Sequence, residues 1–227
     1  MSHRPFSISE IPDRSVVSLI TETLSQRIIA GVLAPGERLR QDHLAAEFHS
    51  SHVPVREAFR RLEAQGLVVV APNRGVSVAP LTPEDVLEVS EMRAALECLA
   101  LRHAIPQFDM RVLSEARRMA SQYTTAASVA EQIATNQDFH WMLLVPCGMP
   151  RLLDNIADLH RASARQLHAA CRLLDWRTRS PDEHDRLLAI VARSDAEAAC
   201  RMLAEHILTA GRAVAGVVAR GVNQESH

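Results

Sequence analysis

The sequence contains no lysine, so all 25 of its basic residues are arginine. They stand against 27 Asp and Glu residues, and the formal net charge is −2 at pH 7. A chain this close to neutral lacks the bulk positive charge typical of many proteins that bind nucleic acids or anionic membranes. Residues 1–80 contain nine arginines and eight acidic residues. Any nucleic-acid surface must therefore depend on where individual arginines lie.

Cysteine and long apolar runs are also scarce. The four cysteines are far apart, and none belongs to a CxxC pair: Cys98, Cys147, Cys171 and Cys200. In the cytosol such residues are usually small buried hydrophobic side chains and not disulfides or zinc ligands. No apolar run approaches the ~20 residues that a membrane span needs. The N-terminal MSHRPFSISEIPDR has no apolar core of a signal peptide. We expect a cytoplasmic protein that does not bind membranes.

The first 80 residues have the pattern of a winged helix-turn-helix. Apolar residues recur at helical spacing in three segments, and two β-branched runs then flank the turn Pro72–Gly75. The predicted elements are helices at 15–30, 42–48 and 53–65 and strands at 67–70 and 76–78. Helices followed by a hairpin in this order place one helix, the recognition helix at 53–65, in the major groove of DNA.

Two arginines on the recognition helix are candidates for DNA contact. Arg56 and Arg60 are four residues apart, so they share one helical face from which both can reach DNA. Arginines at this spacing are often merely solvated, or paired with acidic neighbours, here Glu57 and Glu63. The strand-turn-strand pattern that follows at the right distance favours the DNA contact.

The segments PGERLRQDHLAAEF, PVREAFRRLEAQGLV and PNRGVSV closely resemble the DNA-binding domain of GntR-family bacterial transcriptional regulators. The resemblance covers about Ile20 to Val78. It implies that the turn before the recognition helix and its first turn contact the operator, and that the wing tip enters the minor groove. By position, the implied contacts are Ser51, His52, Val53, Arg56, Asn73, Arg74 and Gly75. We also expect Arg38 and Arg40, just before the second helix, to touch phosphates.

His52 departs from the pattern of that family, whose members usually have arginine after the capping serine. Arginine reads guanine through two hydrogen bonds, whereas histidine makes a single weaker contact. We therefore expect an altered operator preference or weaker binding, and not a loss of DNA binding.

The rest of the chain shows helical periodicity only. Thr82 is a suitable N-cap, and Pro83 suits the first turn after it. The predicted helices lie near 83–104, 108–124, 128–146, 149–175, 181–193 and 195–219. Six or seven helices without a strand indicate a helical bundle. We predict a mainly α protein with a winged helix-turn-helix domain at 1–80 and an all-helical domain at 81–227.

Three histidines of the predicted bundle are candidate metal ligands. His140 lies one turn after Asn136, so both side chains project from one helical face, while His184 and His206 lie on later helices. Histidines on the inner faces of bundle helices can converge on one metal ion. An interior histidine is, however, more often a hydrogen-bonded core residue. Spacing alone leaves both interpretations open.

Four segments resemble landmarks of the FCD-type effector domain found in the FadR subgroup of the GntR family. They are EMRAALE (91–97), NQDFHWML (136–143), DEHDRLLAIV (182–191) and EHI (205–207). In many members of that subgroup an aspartate and three histidines hold a divalent metal, and the metal and an arginine bind the carboxylate of a small organic acid. By position, the resemblance implies Asn136, His140, His184 and His206 as metal ligands and Arg93 as the carboxylate partner.

Asn136 stands where that subgroup more commonly has aspartate. Its neutral amide oxygen is a weaker ligand, so we expect metal affinity to fall, although three imidazoles remain adequate for zinc or, alternatively, nickel. Asp138 lies on another face of the helix and does not replace it. Arg93 has a second, compatible role in an ion pair with Glu97, one helical turn on.

The resemblance implies a DNA-binding transcriptional regulator, most simply a repressor controlled by a small carboxylate effector. We expect a homodimer on palindromic double-stranded operator DNA, because one winged helix reads only a half-site. Two alternatives stay open. One is a metal-dependent hydrolase, since three histidines and an open coordination position can activate water, although the sequence has no HExxH motif. The other is a regulator with a metal-free effector cavity.

Overall fold

The computed structural model describes residues 13–71, 75–170 and 180–224. The chain forms two compact units that divide between Pro80 and Leu81. The first unit contains α1 (Asp13–Ile29), β1 (Arg38–Leu39), α2 (Gln41–Glu47), α3 (His52–Ala64), β2 (Val68–Ala71) and β3 (Gly75–Val78). The strands form an antiparallel sheet in the order β1-β3-β2. This is the helix order and hairpin of a winged helix-turn-helix, and α3 is its recognition helix.

The core of the first unit follows the helical periodicity of the sequence. Ile20, Leu24 and Ile28 of α1 are at most 1% exposed and pack with Val55 and Leu62 of α3. The two helices therefore bury their apolar faces against each other. As a result, the opposite face of α3 remains available to solvent.

Strand β1 was not expected from the sequence. Arg38 pairs with Ser77 and Leu39 with Val76, so these two residues form an edge strand against β3. A two-residue segment carries no periodic signal, and the pairing exists only because β3 returns beside it. Gly66 adopts φ +68° between α3 and β2, a left-handed conformation that glycine enters without steric cost.

The second unit is all-helical in its described residues. Its helices are α4 (Pro83–Ala104), α5 (Met110–Thr125), α6 (Val129–Leu144), α7 (Pro150–Ala170), α8 (Ser180–Val191) and α9 (Ala196–Gln224). These six helices agree with the predicted mainly α bundle, and the predicted extension of the fourth segment over 171–175 lies outside the described residues. The Thr82 hydroxyl accepts a hydrogen bond from the Asp85 amide at 3.1 Å, as expected for an N-cap.

Helix α9 is a core helix of this unit. Its segment Ala196–Arg220 is long and apolar enough to cross a membrane by length and composition alone. That is weak evidence for a membrane span, because the core helix of a soluble protein has the same composition. Leu203, Ile207 and Val214 of α9 are at most 3% exposed within the bundle. Burial against other helices accounts for the apolar character of α9.

The closest approach of α9 to α4 depends on Gly211. A Cβ atom at this position would lie 2.1 Å from the Ser90 Oγ atom and 2.6 Å from its Cβ atom. We expect Gly211→Ala to lower the free energy of unfolding by about 1–3 kcal/mol, because the two helices must move apart. Chemical denaturation checks this. Gly216→Ala is the control, since its added Cβ would meet only Arg220 Nη1 at 3.7 Å. Equal stability of the two variants would contradict the prediction.

Candidate DNA interface and metal centre

The recognition helix α3 presents a polar, basic face to solvent. Val55 and Phe59 are at most 3% exposed, whereas Arg56 and Arg60 are exposed. Val53, in the first turn of the helix, is 62% exposed. An exposed apolar side chain between polar neighbours is available to contact a thymine methyl group in the major groove. This face has the residue types that DNA contact requires.

The arginines of α3 differ in their ion pairs. Arg60 and Arg61 lie 3.6 Å and 4.0 Å from Glu57, measured between side-chain nitrogen and carboxylate oxygen. Within the described parts of the chain, neither Arg56 nor Glu63 takes part in an ion pair. The pairing with an acidic neighbour that the sequence left open is therefore present for Arg60, whose partner is Glu57. Arg56 remains available for a ligand.

The turn before α3 places Ser51 and His52 at the start of the recognition helix. Ser51 is at the N-cap position, but its hydroxyl makes no capping hydrogen bond. The His52 side chain is 58% exposed, and its Nε2 atom lies 3.6 Å from an Asp42 carboxylate oxygen. Gln41 Nε2 donates to the His52 carbonyl at 3.0 Å, which fixes the backbone of the turn against α2.

The remaining predicted DNA contacts lie around the sheet. Arg38 and Arg40 are exposed on either side of the buried Leu39. Gly75 begins β3 with φ +81°. Asn73 and Arg74 lie outside the described residues, so their contacts stay a prediction.

Three histidines converge in the second unit. His140 on α6, His184 on α8 and His206 on α9 each offer a ring nitrogen, and these atoms all lie within 4.8 Å of one another. His140 and His184 are only 1% exposed. The predicted ligand histidines thus come from three helices to one point, a spacing that one metal ion can bridge.

Three ring nitrogens of this cluster lack the partners that core histidines need. His140 Nε2, His184 Nδ1 and His184 Nε2 are buried and have no hydrogen-bond partner among the residues that the structure describes. Burial lowers the pKa of His140 to about 4 and holds the pKa of His184 well below its ordinary value. Both rings are therefore neutral at pH 7, the form that binds metal. These unpaired nitrogens fit a divalent cation and argue against a purely structural core role.

Asn136 and Arg93 lie beside the histidines. Both line a cavity of about 60 Å³ together with His140 and His206. Asp138 is exposed, in agreement with its expected position on another face of α6. The lining of the cavity combines these polar side chains with apolar ones, among them Val86, Ile133, Leu167 and Val214. A small molecule with an anionic group and a short apolar part suits this lining.

Glu97 joins the arginine to the histidine cluster. It is completely buried; its Oε1 atom accepts from Arg93 Nε at 2.8 Å and from His160 Nε2 at 2.9 Å, and its Oε2 atom from His140 Nδ1 at 3.0 Å. Burial alone would raise the pKa of Glu97, but Arg93 and the two histidines outweigh it and hold that pKa well below its ordinary value. Arg93 is fixed further by Nη1 donating to Ser163 Oγ at 2.9 Å.

Sequence reasoning missed three of these residues in their site roles. Glu97 appeared only as an ion-pair partner of Arg93, although the helical spacing of the two was a usable signal. His160 on α7 carries no motif or spacing that distinguishes it. Glu183 on α8 lies in the landmark segment 182–191, but nothing in that segment assigns it a role in the site. Glu183 Oε2 lies 2.7 Å from His206 Nδ1, a contact that requires α8 and α9 to pack together.

Two family models match the chain. Residues 17–78 match the bacterial regulatory proteins of the gntR family, and residues 88–209 match the FCD domain. The chain belongs to the GntR family. Its winged helix-turn-helix corresponds to the first match and its helical bundle to the second, so the resemblance seen in the sequence is confirmed.

Named relatives of this GntR-family chain are regulators. It is 32% identical to the HTH-type transcriptional regulator YdhC of Bacillus subtilis (strain 168), over 81% of this chain and 84% of that protein. It is 27% identical to the HTH-type transcriptional repressor GlaR of Escherichia coli (strain K12), over 82% and 90%. The crystal structure of a GntR-family regulator from Pseudomonas syringae pv. tomato str. DC3000 matches with a TM-score of 0.60 and 30% identity, covering 95% of this chain and 91% of that one.

The family and these relatives establish the class of function. The protein is a DNA-binding transcriptional regulator of the GntR type with an FCD domain. It is not an enzyme, so the hydrolase considered from the three histidines is set aside. The histidine cluster lies within the stretch that matches the FCD domain.

Proposed function

We propose that the protein is a homodimeric repressor whose operator binding is controlled by a small organic acid bound at a metal site in the FCD domain. Asn136, His140, His184 and His206 would hold a divalent metal, most simply zinc, with nickel as the alternative. Arg93 would bind the carboxylate. The observation that carries this proposal is the set of buried ring nitrogens of His140 and His184 without partners.

The histidine cluster supports a metal because its donors are neutral and unpaired. A buried polar atom without a hydrogen bond costs roughly 1–3 kcal/mol, and three such atoms lie in one cluster. A divalent cation would satisfy the ligand nitrogens and provide a positive centre that attracts a carboxylate. Imidazole ligands suit zinc and nickel alike. A metal-free cavity would leave all three nitrogens unsatisfied, whereas a bound metal would leave only the second nitrogen of His184 without a partner among the described residues.

The position of Arg93 supports a carboxylate as the effector. Its side chain lines the same cavity as His140 and His206. Contacts with Glu97 and Ser163 hold the guanidinium in place. A fixed guanidinium loses little conformational entropy when it binds a carboxylate. The small cavity favours a short acid over a long acyl chain.

The division of the chain supports separate roles for its two parts. Residues 1–80 would bind the operator, and residues 81–227 would bind the effector and form the dimer. A dimer is required because a palindromic operator presents two half-sites and one winged helix reads one of them. Effector binding would change operator affinity by linkage, with a coupling free energy of about 1–3 kcal/mol.

A thermal melting experiment tests the proposed function. Full-length protein is melted with a panel of small carboxylic acids, before and after removal of metal by a chelator. A ligand that binds only the folded state raises the melting temperature. At 100 times its Kd, such a ligand stabilises the folded state by about 2.7 kcal/mol. We expect one acid class to stabilise the protein only when metal is present. Stabilisation that survives chelation would instead support the metal-free cavity.

Replacing His52 by arginine tests the proposed base contact. We expect His52→Arg to shift the preferred operator toward guanine, because a bidentate arginine–guanine pair contributes about 1–3 kcal/mol of discrimination. Selection from a library of random DNA duplexes measures the change. His43→Arg is the matched control, since His43 is exposed on α2 and the substitution is the same. If both variants select the operator of the wild type, His52 does not face a base.

A further inference from the structure

Two of the three proposed ligand histidines contact a carboxylate: His140 contacts the buried Glu97, and His206 contacts the half-buried Glu183. We propose that Glu97 and Glu183 are positioning residues of the metal site: each fixes the tautomer of one imidazole, and Glu183 also supplies negative charge that Asn136 does not. This inference rests on the proposed metal site. It assigns a role to two acidic residues that lie behind the ligands and outside the ligand set.

Glu97 determines which nitrogen of His140 is free to bind metal. An ionised carboxylate only accepts hydrogen bonds, so the His140 Nδ1 atom, 3.0 Å from Glu97 Oε2, must carry the proton. The lone pair is then on Nε2, the nitrogen that is buried without a partner. Glu97 is itself held by Arg93 and His160. These two donors fix the orientation of Glu97, and Glu97 in turn fixes that of His140.

Glu183 has the same relation to His206. Its Oε2 atom lies 2.7 Å from His206 Nδ1, and the His206 side chain is only 10% exposed. With the proton on Nδ1, the Nε2 atom carries the lone pair. His184 contrasts with both, because neither of its ring nitrogens has a partner in the described parts of the chain. Two of the three ligand imidazoles are therefore oriented by a carboxylate, an arrangement that also raises their basicity as ligands.

The charge of the proposed metal site also depends on nearby carboxylates. Three neutral imidazoles and an amide bring no negative charge to a divalent cation in a buried site, which costs desolvation energy. An aspartate in place of Asn136 would offset one unit of the positive charge of the cation. Arg93 already offsets the charge of Glu97 through their ion pair. Glu183 lies one imidazole away, behind His206, and offsets part of the metal charge from there, an effect that weakens with distance.

Zinc affinity of the full-length protein tests the inference. Metal-stripped protein is titrated with Zn²⁺ in competition with a chromophoric chelator. Glu183→Gln keeps the size and an acceptor but removes the charge and the tautomer preference, and we expect a 10–100-fold loss of Zn²⁺ affinity. Asp185→Asn is the matched control: it removes the same charge from an exposed position on α8, and its Zn²⁺ affinity is expected to equal that of wild type. Glu97→Gln should act in the same direction.

A second comparison separates positioning and charge from a structural role. Asn136→Asp is expected to raise Zn²⁺ affinity and to reduce the cost of Glu183→Gln, because the site then has a negative charge of its own. An equal cost of Glu183→Gln in both backgrounds would overturn charge compensation. A lower melting temperature of metal-free Glu183→Gln with unchanged Zn²⁺ affinity would show a purely structural role and overturn the inference. Glu97 is completely buried, so its variant can fail to fold. The test of the positioning role therefore depends on the Zn²⁺ affinity of Glu183→Gln.

The outcomes also separate this inference from the proposed function. If the wild-type protein binds no Zn²⁺, the proposed metal site and the inference both fail. If wild type binds Zn²⁺ and Glu183→Gln binds it equally well, the metal site stands and only the positioning role is overturned. If Asp185→Asn loses as much affinity as Glu183→Gln, the effect is one of general surface charge, which also overturns the inference.

Discussion

A His184→Leu variant is expected to melt above the wild type when no metal is present, and to gain nothing from added Zn²⁺. The two effects have opposite signs because the same ring has two roles. Without metal, both His184 nitrogens are buried and unpaired, which costs roughly 1–3 kcal/mol for an unsatisfied polar group. Leucine has a similar volume and no polar atoms, so the cost disappears.

The higher stability of the metal-free variant should raise its melting temperature by roughly 2–4 °C for each kcal/mol in a chain of this length. With saturating Zn²⁺ the order reverses, since only the wild type gains the stabilisation that ligand binding gives the folded state. Melting curves of both proteins, each with chelator and with Zn²⁺, measure the four values. His103→Leu serves as the control because His103 is exposed on α4 and lies outside the histidine cluster.

Two results would contradict this prediction in different ways. A loss of stability in metal-free His184→Leu would mean that the ring contributes favourable packing. The residues that it contacts are Phe139, with ring centroids 4.1 Å apart, and Tyr123, at 5.6 Å. An undiminished response to Zn²⁺ would mean that His184 is not a ligand.

Removing Arg56 is expected to weaken operator binding more than removing any other single arginine of α3. Arg56 is exposed and, in the described structure, has no acidic partner, whereas Arg60 and Arg61 both approach Glu57. An arginine that already has a partner must give up part of that ion pair when it binds DNA. We expect Arg56→Ala to cost about 1–3 kcal/mol, or roughly 5–150-fold in Kd, and Arg60→Ala to cost less.

Fluorescence anisotropy with an operator recovered by selection measures this effect at several salt concentrations. If Arg56 contacts a base, its loss should relax specificity at one operator position. If it contacts a phosphate, its loss should weaken binding to all sequences alike and reduce the slope of log affinity against log salt concentration by about 1. Arg117→Ala, an exposed arginine on α5, controls for the loss of one positive charge. Operator binding by Arg56→Ala equal to that of the control would contradict the placement of Arg56 on DNA.

Local patterns in the sequence were sufficient for most of the helices. The apolar repeats of α1 and α3 predicted the buried faces of both helices except at Leu19, which is 58% exposed. Thr82 with Pro83 correctly marked the start of α4. Such signals are local, because a helix repeats every few residues and its caps are short motifs. Strand β1 was missed for the converse reason: its two residues become a strand only through pairing with β3.

The candidate metal site divides in the same way. Its three histidines and Arg93 could be named from segments that resemble a known family, but spacing alone did not distinguish ligands from core residues. The tertiary structure brings three helices together so that one ring nitrogen of each histidine lies within 4.8 Å of the others. In the described residues, His140 Nε2 and both nitrogens of His184 have no hydrogen-bond partner. It also places His160 from α7 against Glu97, a pairing across 63 positions of the chain.

By itself the sequence determined the fold class, a winged helix-turn-helix with a helical second domain, because periodicity, caps and short motifs are properties of neighbouring residues. The function of a regulator followed from the resemblance of several segments to a known family. Only the tertiary structure decided which polar side chains share an environment. Glu97, bound by Arg93, His140 and His160, owes its charged state and its contacts to residues from three helices. Burial and hydrogen bonding between distant segments are set by packing, and no local pattern encodes them.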